Sequence, residues 1–235
     1  YANASIHIGH LIEYTQADII TRFLRLTGKD VIYVCASDTH GTPIEVNAAK
    51  LGVKPEALVV RFAAEHREDF NAFHILFDEY YTTHSPENKK LSEFFFQTLK
   101  KKGYITKKFV DVMHCSTCNR VLPDRFVRGT CSNCGAADQY GDVCESCGVT
   151  HKSTDLFDPK CSICGTTPRV KNSEHYFFTL SRFSEQLRKW LETNKNLQHE
   201  IQNFIRELLF KGLDDWCISR DGPYFGFLIP GEKDK

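Results

Sequence analysis

Four Cys-x-x-Cys pairs, Cys115/Cys118, Cys131/Cys134, Cys144/Cys147 and Cys161/Cys164, hold eight of the ten cysteines in this 235-residue chain. Thiols two residues apart make poor disulfides but good chelates, because one small turn offers two thiolates to one ion. Eight thiols make two Cys₄ sites with no position left for water. That is a structural zinc pattern rather than a catalytic one. Gly135, Gly148 and Gly165 follow the second cysteine of three pairs, and Asn119 follows it in the remaining pair. Both residue types tolerate the left-handed backbone that turns N–H groups toward sulfur. Spacing leaves two pairings open. Nested pairing joins 131/134 with 144/147 inside 115/118 with 161/164; sequential pairing joins neighbours. Cys35 and Cys217 lie outside the cluster, and Cys35, in an apolar run, reads as a small core residue.

A second group is His7-Ile8-Gly9-His10. Two imidazoles and a glycine at the start of a helix suit a polyphosphate: glycine lets the backbone come close, the helix end favours negative charge, and imidazoles can donate to phosphate oxygens. A third is Asp38-Thr39-His40-Gly41, at the carboxyl end of an apolar run, where open α/β sheets place ligands. A carboxylate there can hold an ammonium group. The competing reading, that Asp38 caps the next helix, is weakened because Thr42-Pro43-Ile44-Glu45 already reads as a helix start with Thr42 as N-cap.

These residues need elements to hold them. Leu11, Ile12, Ile19, Phe23 and Leu26 recur near helical spacing, with Gly28 as the stop. DVIYVCAS then reads as a strand buried on both faces. A helix from Thr42 stops at Gly52, another starts near Pro55 and carries Leu58, Phe62, Phe70 and Phe73, and FDEYYTTHS is a second strand candidate. PENKKLSEFFFQTLKKKG reads as an amphipathic helix and YITKKFVDVMHC as a strand entering the cysteine region. The alternation predicts an open α/β sheet. Around residues 113–172 large apolar residues thin out, so this stretch is expected to lack a core and to rely on metal. EHYFFTL reads as a returning strand, RFSEQLRKWLET and NLQHEIQNFIRELLFKG as two helices, and the end as loop and short strand.

Apolar residues make up 41% and charged residues 26%, which excludes a mainly disordered or collagen-like chain. Thirty basic and 30 acidic residues cancel, so any nucleic-acid partner must be held by a local patch. No run approaches the roughly 18–20 apolar residues of a membrane span, and no secretion leader is read, so no membrane partner and a cytoplasmic location are expected.

Tyr1-Ala2-Asn3 followed by His7-Ile8-Gly9-His10 resembles the signature of class I aminoacyl-tRNA synthetases. Four further segments resemble the methionyl type in particular: Ser37-Asp38-Thr39-His40-Gly41-Thr42-Pro43-Ile44, Leu122-Pro123-Asp124-Arg125-Phe126, Asp138-Gln139-Tyr140-Gly141-Asp142 and Trp216-Cys217-Ile218-Ser219-Arg220-Asp221. The likeness runs along essentially the whole chain. The isoleucyl, valyl and leucyl types share the first motif, but usually carry a Trp-containing segment and Leu-Pro where this chain has Ser37 and Thr42-Pro43. The order of cysteine turns resembles the two-zinc form of the methionyl type, which favours nested pairing.

The resemblance implies an α/β, Rossmann-like parallel-sheet nucleotide-binding domain with an inserted Cys-rich two-zinc knuckle domain. Residues 1–111 would form the first part of the catalytic domain, 112–174 the zinc-bearing connective peptide, and 175–235 the return to the catalytic domain. The activity implied is ATP-dependent ligation of methionine to its tRNA through methionyl-adenylate. His7, Gly9 and His10 would bind ATP, with His7 and His10 catalytic; Tyr1, Asp38 and Arg220 would bind methionine. All eight paired cysteines would hold zinc, and ATP with Mg²⁺ would be the cosubstrate. The family also carries a second sheet half with a Lys-Met-Ser-Lys-Ser-like loop and a helical anticodon-binding domain. The resemblance thus implies a fragment, inactive by itself, with a strand before Tyr1 and much of the methionine pocket beyond Lys235. Two alternatives are an isoleucyl or valyl enzyme, and a catalytically inactive zinc-bearing tRNA-binding fragment.

Overall fold

A computed structural model describes residues 1–222 and 224–235. The periodic first segment forms α1 (Ile8–Leu26), ended by Gly28 in left-handed backbone at φ 79°. β1 (Val34–Ser37) pairs in parallel with β2 (Glu79–Thr82), Cys35 beside Tyr80. Parallel neighbours need a crossover, and α2 (Thr42–Leu51) with α3 (Pro55–Ala72) supply it. Ile44 and Ala48 of α2 pack with Leu58, Val59 and Phe62 of α3, and with Ala2 and Phe225 from the two ends of the chain. Leu11, Phe70, Ile75 and Tyr80 form a second cluster, flanked by Tyr14, Tyr33, Cys35 and Phe77.

Two expectations about this unit need correction. β1 is not buried on both faces: Val34 and Ala36 are exposed, while Cys35 leans toward the cluster beneath α1 and α3. The apolar stripe of α1 is not its buried side either. Leu11 is buried, but Ile12, Ile19, Phe23 and Leu26 are exposed. Asp18 and Thr21 are buried instead, because the Asp18 carboxylate accepts from the Leu76 N–H and from Arg22. Phe73, at the end of α3, is exposed too.

Ser85 caps α4 (Pro86–Lys101), its hydroxyl accepting from the Asn88 N–H. β3 (Ile105–Cys115) and β8 (Arg169–Phe178) then form a long antiparallel ribbon, paired from Ile105↔Phe178 to His114↔Arg169. β4 (Arg120–Leu122) flanks β3, and the short β9 (Trp216–Cys217) flanks β8. At the ribbon's far end, β5 (Val127–Thr130) lies between β6 (Gln139–Tyr140) and β7 (Phe157–Cys161). This cysteine-rich region does have a core: Met113, Leu122, Phe126, Val127 and Leu156 are buried together with Cys115 and Cys161. All five of these apolar side chains come from the stretch expected to lack one, gathered by the ribbon's end and the small sheet. α5 (Ser184–Thr193) and α6 (His199–Lys211) pack on each other. No described helix is long and apolar enough to cross a membrane.

Candidate functional site

α1 begins with His7 as its N-cap. His7 Nδ1 accepts from the Gly9 N–H at 3.1 Å, and the His7 N–H donates to His10 Nδ1 at 3.2 Å. Both bonds occupy Nδ1, so each neutral ring carries its proton on Nε2, available to a ligand. The rings lie 3.9 Å apart. Burial first, then the charge of His7, lowers the His10 pKa and keeps that ring neutral at pH 7. A Cβ at Gly9 would stand 2.9 Å from the His7 ring, so only glycine leaves room for this cap. No acidic residue sits in the first turn, leaving the partial positive charge of the helix end uncompensated.

The segment before α1 is pinned beside the loop after β1. The Ala2 N–H donates to the Asp38 carbonyl at 2.8 Å, Asn47 donates to the Asn3 carbonyl, and His66 Nε2 lies 2.7 Å from the Ala4 carbonyl. The Tyr1 ring lies on Gly41, where a Cβ would come within 2.6 Å of it. Gly41, at φ 129°, is also the true N-cap of α2. Thr42 is the first helical residue, not the cap, because the backbone bends one residue earlier than the sequence suggests. The Asp38 side chain is exposed and makes no hydrogen bond or ion pair among the described residues. His40 faces inward: its Nε2 is 2.8 Å from His84 Nδ1, and it packs edge-on to Phe225 and Phe227.

Arg220 follows β9 and donates to the Ser219 carbonyl at 3.0 Å, with Cys217 Sγ 3.8 Å away. It is not paired with Asp38. It lines a cleft of about 560 Å³ together with His40, Ser219 and Tyr224. The structure therefore joins Tyr1 to the Asp38 loop, and Arg220 to His40 of that loop.

The cysteines pair in the nested order. Cys115, Cys118, Cys161 and Cys164 form one group, and Cys131, Cys134, Cys144 and Cys147 the other, with the four sulfurs of each within 4.8 Å of one another. Cys115–Cys164 and Cys118–Cys161 are 3.5 and 3.9 Å apart; Cys134–Cys144 and Cys131–Cys147 are 3.6 and 4.0 Å. A zinc tetrahedron with 2.3 Å bonds has edges of about 3.8 Å, so both groups fit the ion. Asn119, Gly135, Gly148 and Gly165 all have positive φ, between 47° and 75°. The Val149 backbone and the Asn133 amide hold the Cys147 thiol down to about 6, already close to the thiolate a metal takes.

The family model described as tRNA synthetases class I (M) matches residues 1–235. The chain belongs to this family. It is 51% identical over all 235 residues to a Methionine--tRNA ligase of Myxococcus xanthus, and spans 33% of that relative's length. Among solved structures it is similar to Mycobacterium tuberculosis methionyl-tRNA synthetase in complex with methionyl-adenylate, with a TM-score of 0.72 at 24% identity. That match covers 98% of this chain and 41% of the other, and it supports the mixed α/β fold.

The remaining synthetase-like motifs interlock. Arg125 pairs with Asp142 at 2.7 Å and Arg128 with Asp138 at 2.6 Å, and both guanidinium groups lie over the Tyr140 ring. The Gly141 N–H donates to the Asp124 carbonyl at 3.1 Å, so close that a Cβ at Gly141 would clash with that oxygen. Sequence reasoning missed Glu45, which it treated only as part of a helix start. Its buried carboxylate accepts from Arg120 of β4 at 2.7 Å and from the Phe225 N–H at 2.6 Å, joining α2 to the cysteine-rich region and to the C-terminal loop. It also missed His84, whose only signal was a histidine near the end of the strand candidate FDEYYTTHS; the strand itself ends at Thr82.

Proposed function

We propose that this chain carries the first part of the catalytic domain of a methionine–tRNA ligase, joining methionine to ATP as methionyl-adenylate before transfer to tRNA. Methionine comes from the 51% identity to a relative of that name. The observation that carries the chemistry is the uncompensated N-terminus of α1, with two imidazoles whose Nδ1 atoms are taken up by backbone N–H groups and whose Nε2 atoms have no hydrogen-bond partner among the described residues. Methionine's carboxylate attacks the α-phosphorus and pyrophosphate leaves, so negative charge moves onto phosphate oxygens. His7 and His10 donate to those oxygens, and the Gly9 backbone lets them approach; this is positioning and charge stabilisation with little proton chemistry. Mg²⁺ supplies neutralisation of the triphosphate when bound. Asp38 holds the methionine ammonium, Tyr1 lines the amino-acid side, and Arg220 completes the site from β9. Residues 1–111 and 175–235 form the catalytic body, and 112–174 form the connective peptide held by two structural zinc ions. A cytoplasmic setting, where thiols stay reduced, goes with this reading.

The test is pyrophosphate exchange by the full-length enzyme. Exchange should depend on methionine, and His10→Ala should lower kcat about 10²-fold or more while methionine KM changes little, as for an interaction made mainly in the transition state. Exchange driven by isoleucine or valine, or an unchanged kcat in the variant, would overturn it.

A further inference from the structure

The chain parts from β8 just before Arg220. A backbone bond still runs from the Ile218 N–H to the Tyr176 carbonyl at 2.9 Å. Beyond it, side chains continue the pairing. Ser219 Oγ accepts from the Tyr176 N–H at 2.9 Å, and Asp221 Oδ1 accepts from the Ser173 hydroxyl at 2.9 Å. Between these two anchors lies His175, only 4% exposed. Its Nδ1 is 2.8 Å from Ser219 Oγ and its Nε2 is 3.1 Å from Asp221 Oδ2. Against burial, the Lys235 ammonium 3.0 Å from Asp221 Oδ1 holds that carboxyl below its ordinary range. An ionised carboxylate only accepts, so His175 Nε2–H donates to it. One buried ring thus grips both neighbours of Arg220.

Ser219 and Asp221 face β8, and Arg220 between them faces the other way, as alternate residues of a strand do. It is exposed and lines the 560 Å³ cleft with His40 and Tyr224. Among the described residues its guanidinium bonds only to its own loop, to the Ser219 carbonyl at 3.0 Å and toward Cys217 Sγ at 3.8 Å. No distant side chain aims it, so its direction is set by the backbone that carries it. His175 fixes that backbone on both sides.

We propose that His175 is a positioning residue for the amino-acid substrate: by clamping Ser219 and Asp221 it aims Arg220 into the cleft. It touches no substrate and acts through Arg220. The inference rests on the assignment of Arg220 to the methionine site.

The test is a double-mutant cycle on the full-length enzyme, read as methionine and ATP KM in pyrophosphate exchange. Arg220→Ala should raise methionine KM at least about tenfold. No change there would remove Arg220 from the site, and the reading beneath this inference would fall with it. Where Arg220→Ala does act, His175→Leu should raise methionine KM about tenfold and shift ATP KM less than about twofold. Combined with Arg220→Ala it should add less than about twofold, because its effect passes through the missing guanidinium. A merely structural histidine would weaken both substrates or act equally in both backgrounds. Either result, or an unchanged methionine KM, would overturn the proposal while leaving Arg220 in the site. If His175→Leu does not fold, Ser219→Ala removes one of the two anchors and enters the same cycle. A methionine KM rise of about threefold or more that vanishes without Arg220 supports the clamp, and no rise, or one that persists, refutes it.

Discussion

Asp38 and Glu45 flank one loop, and the fold treats the two carboxylates oppositely. Glu45 is buried with both oxygens occupied, while Asp38 is exposed with no partner among the described residues. A spare carboxylate at the end of a parallel strand is suited to a cationic ligand. In the full-length enzyme Asp38→Asn keeps the shape and removes the charge. A charge-assisted hydrogen bond contributes about 1.5–3 kcal/mol, so methionine KM should rise about 10- to 150-fold with ATP KM nearly constant. Unchanged methionine KM would take Asp38 out of the site. His40, in the same loop, makes stability depend on pH. Burial, then the charge of His84, lowers its pKa, and Asp38 only partly opposes this. The unfolded chain therefore takes up the proton more readily than the folded one. The contribution is complete above about pH 6.5 and is lost as the pH falls through that value toward the folded pKa. Denaturant midpoints of wild type should fall below pH 6.5 more steeply than those of His40→Gln. Parallel curves would show that the His40–His84 contact does not resist protonation.

The elements sort into those governed by neighbours in sequence and those governed by distant contacts. Helix stops at Gly28, Gly52 and Gly212, and the four positive-φ positions after the cysteine pairs, were legible because each is a local backbone demand. Three things were not. The buried side of α1 is set by Asp18 reaching Leu76, 58 residues away. Glu45 finds its partners 75 and 180 positions along the chain. The core at the ribbon's end draws on residues too scattered for any local pattern. His7, Gly9 and Asp38 were readable by type and place, whereas His84 acquires meaning only when β1 and β2 lie side by side. The knuckles carry a prediction at this scale. The group of Cys115 and Cys161 rests on Phe126, Val127 and Leu156, but the group of Cys131 to Cys147 has no such cluster beneath it among the described residues. Fresh reduced protein should contain two zinc ions per chain. On chelation, amide exchange should accelerate first and most across residues 131–148. One ion or none, or uniform loss of protection over both groups, would contradict this.

At the scale of the molecule, this chain spans about a third of the M. xanthus relative, and several large apolar side chains of α1 stand on its surface. Its parts are nonetheless joined unequally. Glu45 and a few side chains tie the cysteine-rich region to α2, while the backbone enters and leaves that region only through β3 and β8, which are hydrogen-bonded neighbours. Since His114 and Arg169 are direct partners across the ribbon, the gap between them is one that a two-residue Asn-Gly turn can close. Replacing residues 115–168 by Asn-Gly should therefore give a shorter protein that binds no zinc, keeps its helical circular dichroism and still melts cooperatively, with some stability lost where Met113 and Val46 lose their cover. A non-cooperative melt would mean that the cysteine-rich region holds the body together. In the language of splicing, the ribbon is a pair of matched ends: a whole module can be removed or exchanged there without the rest of the chain changing its path.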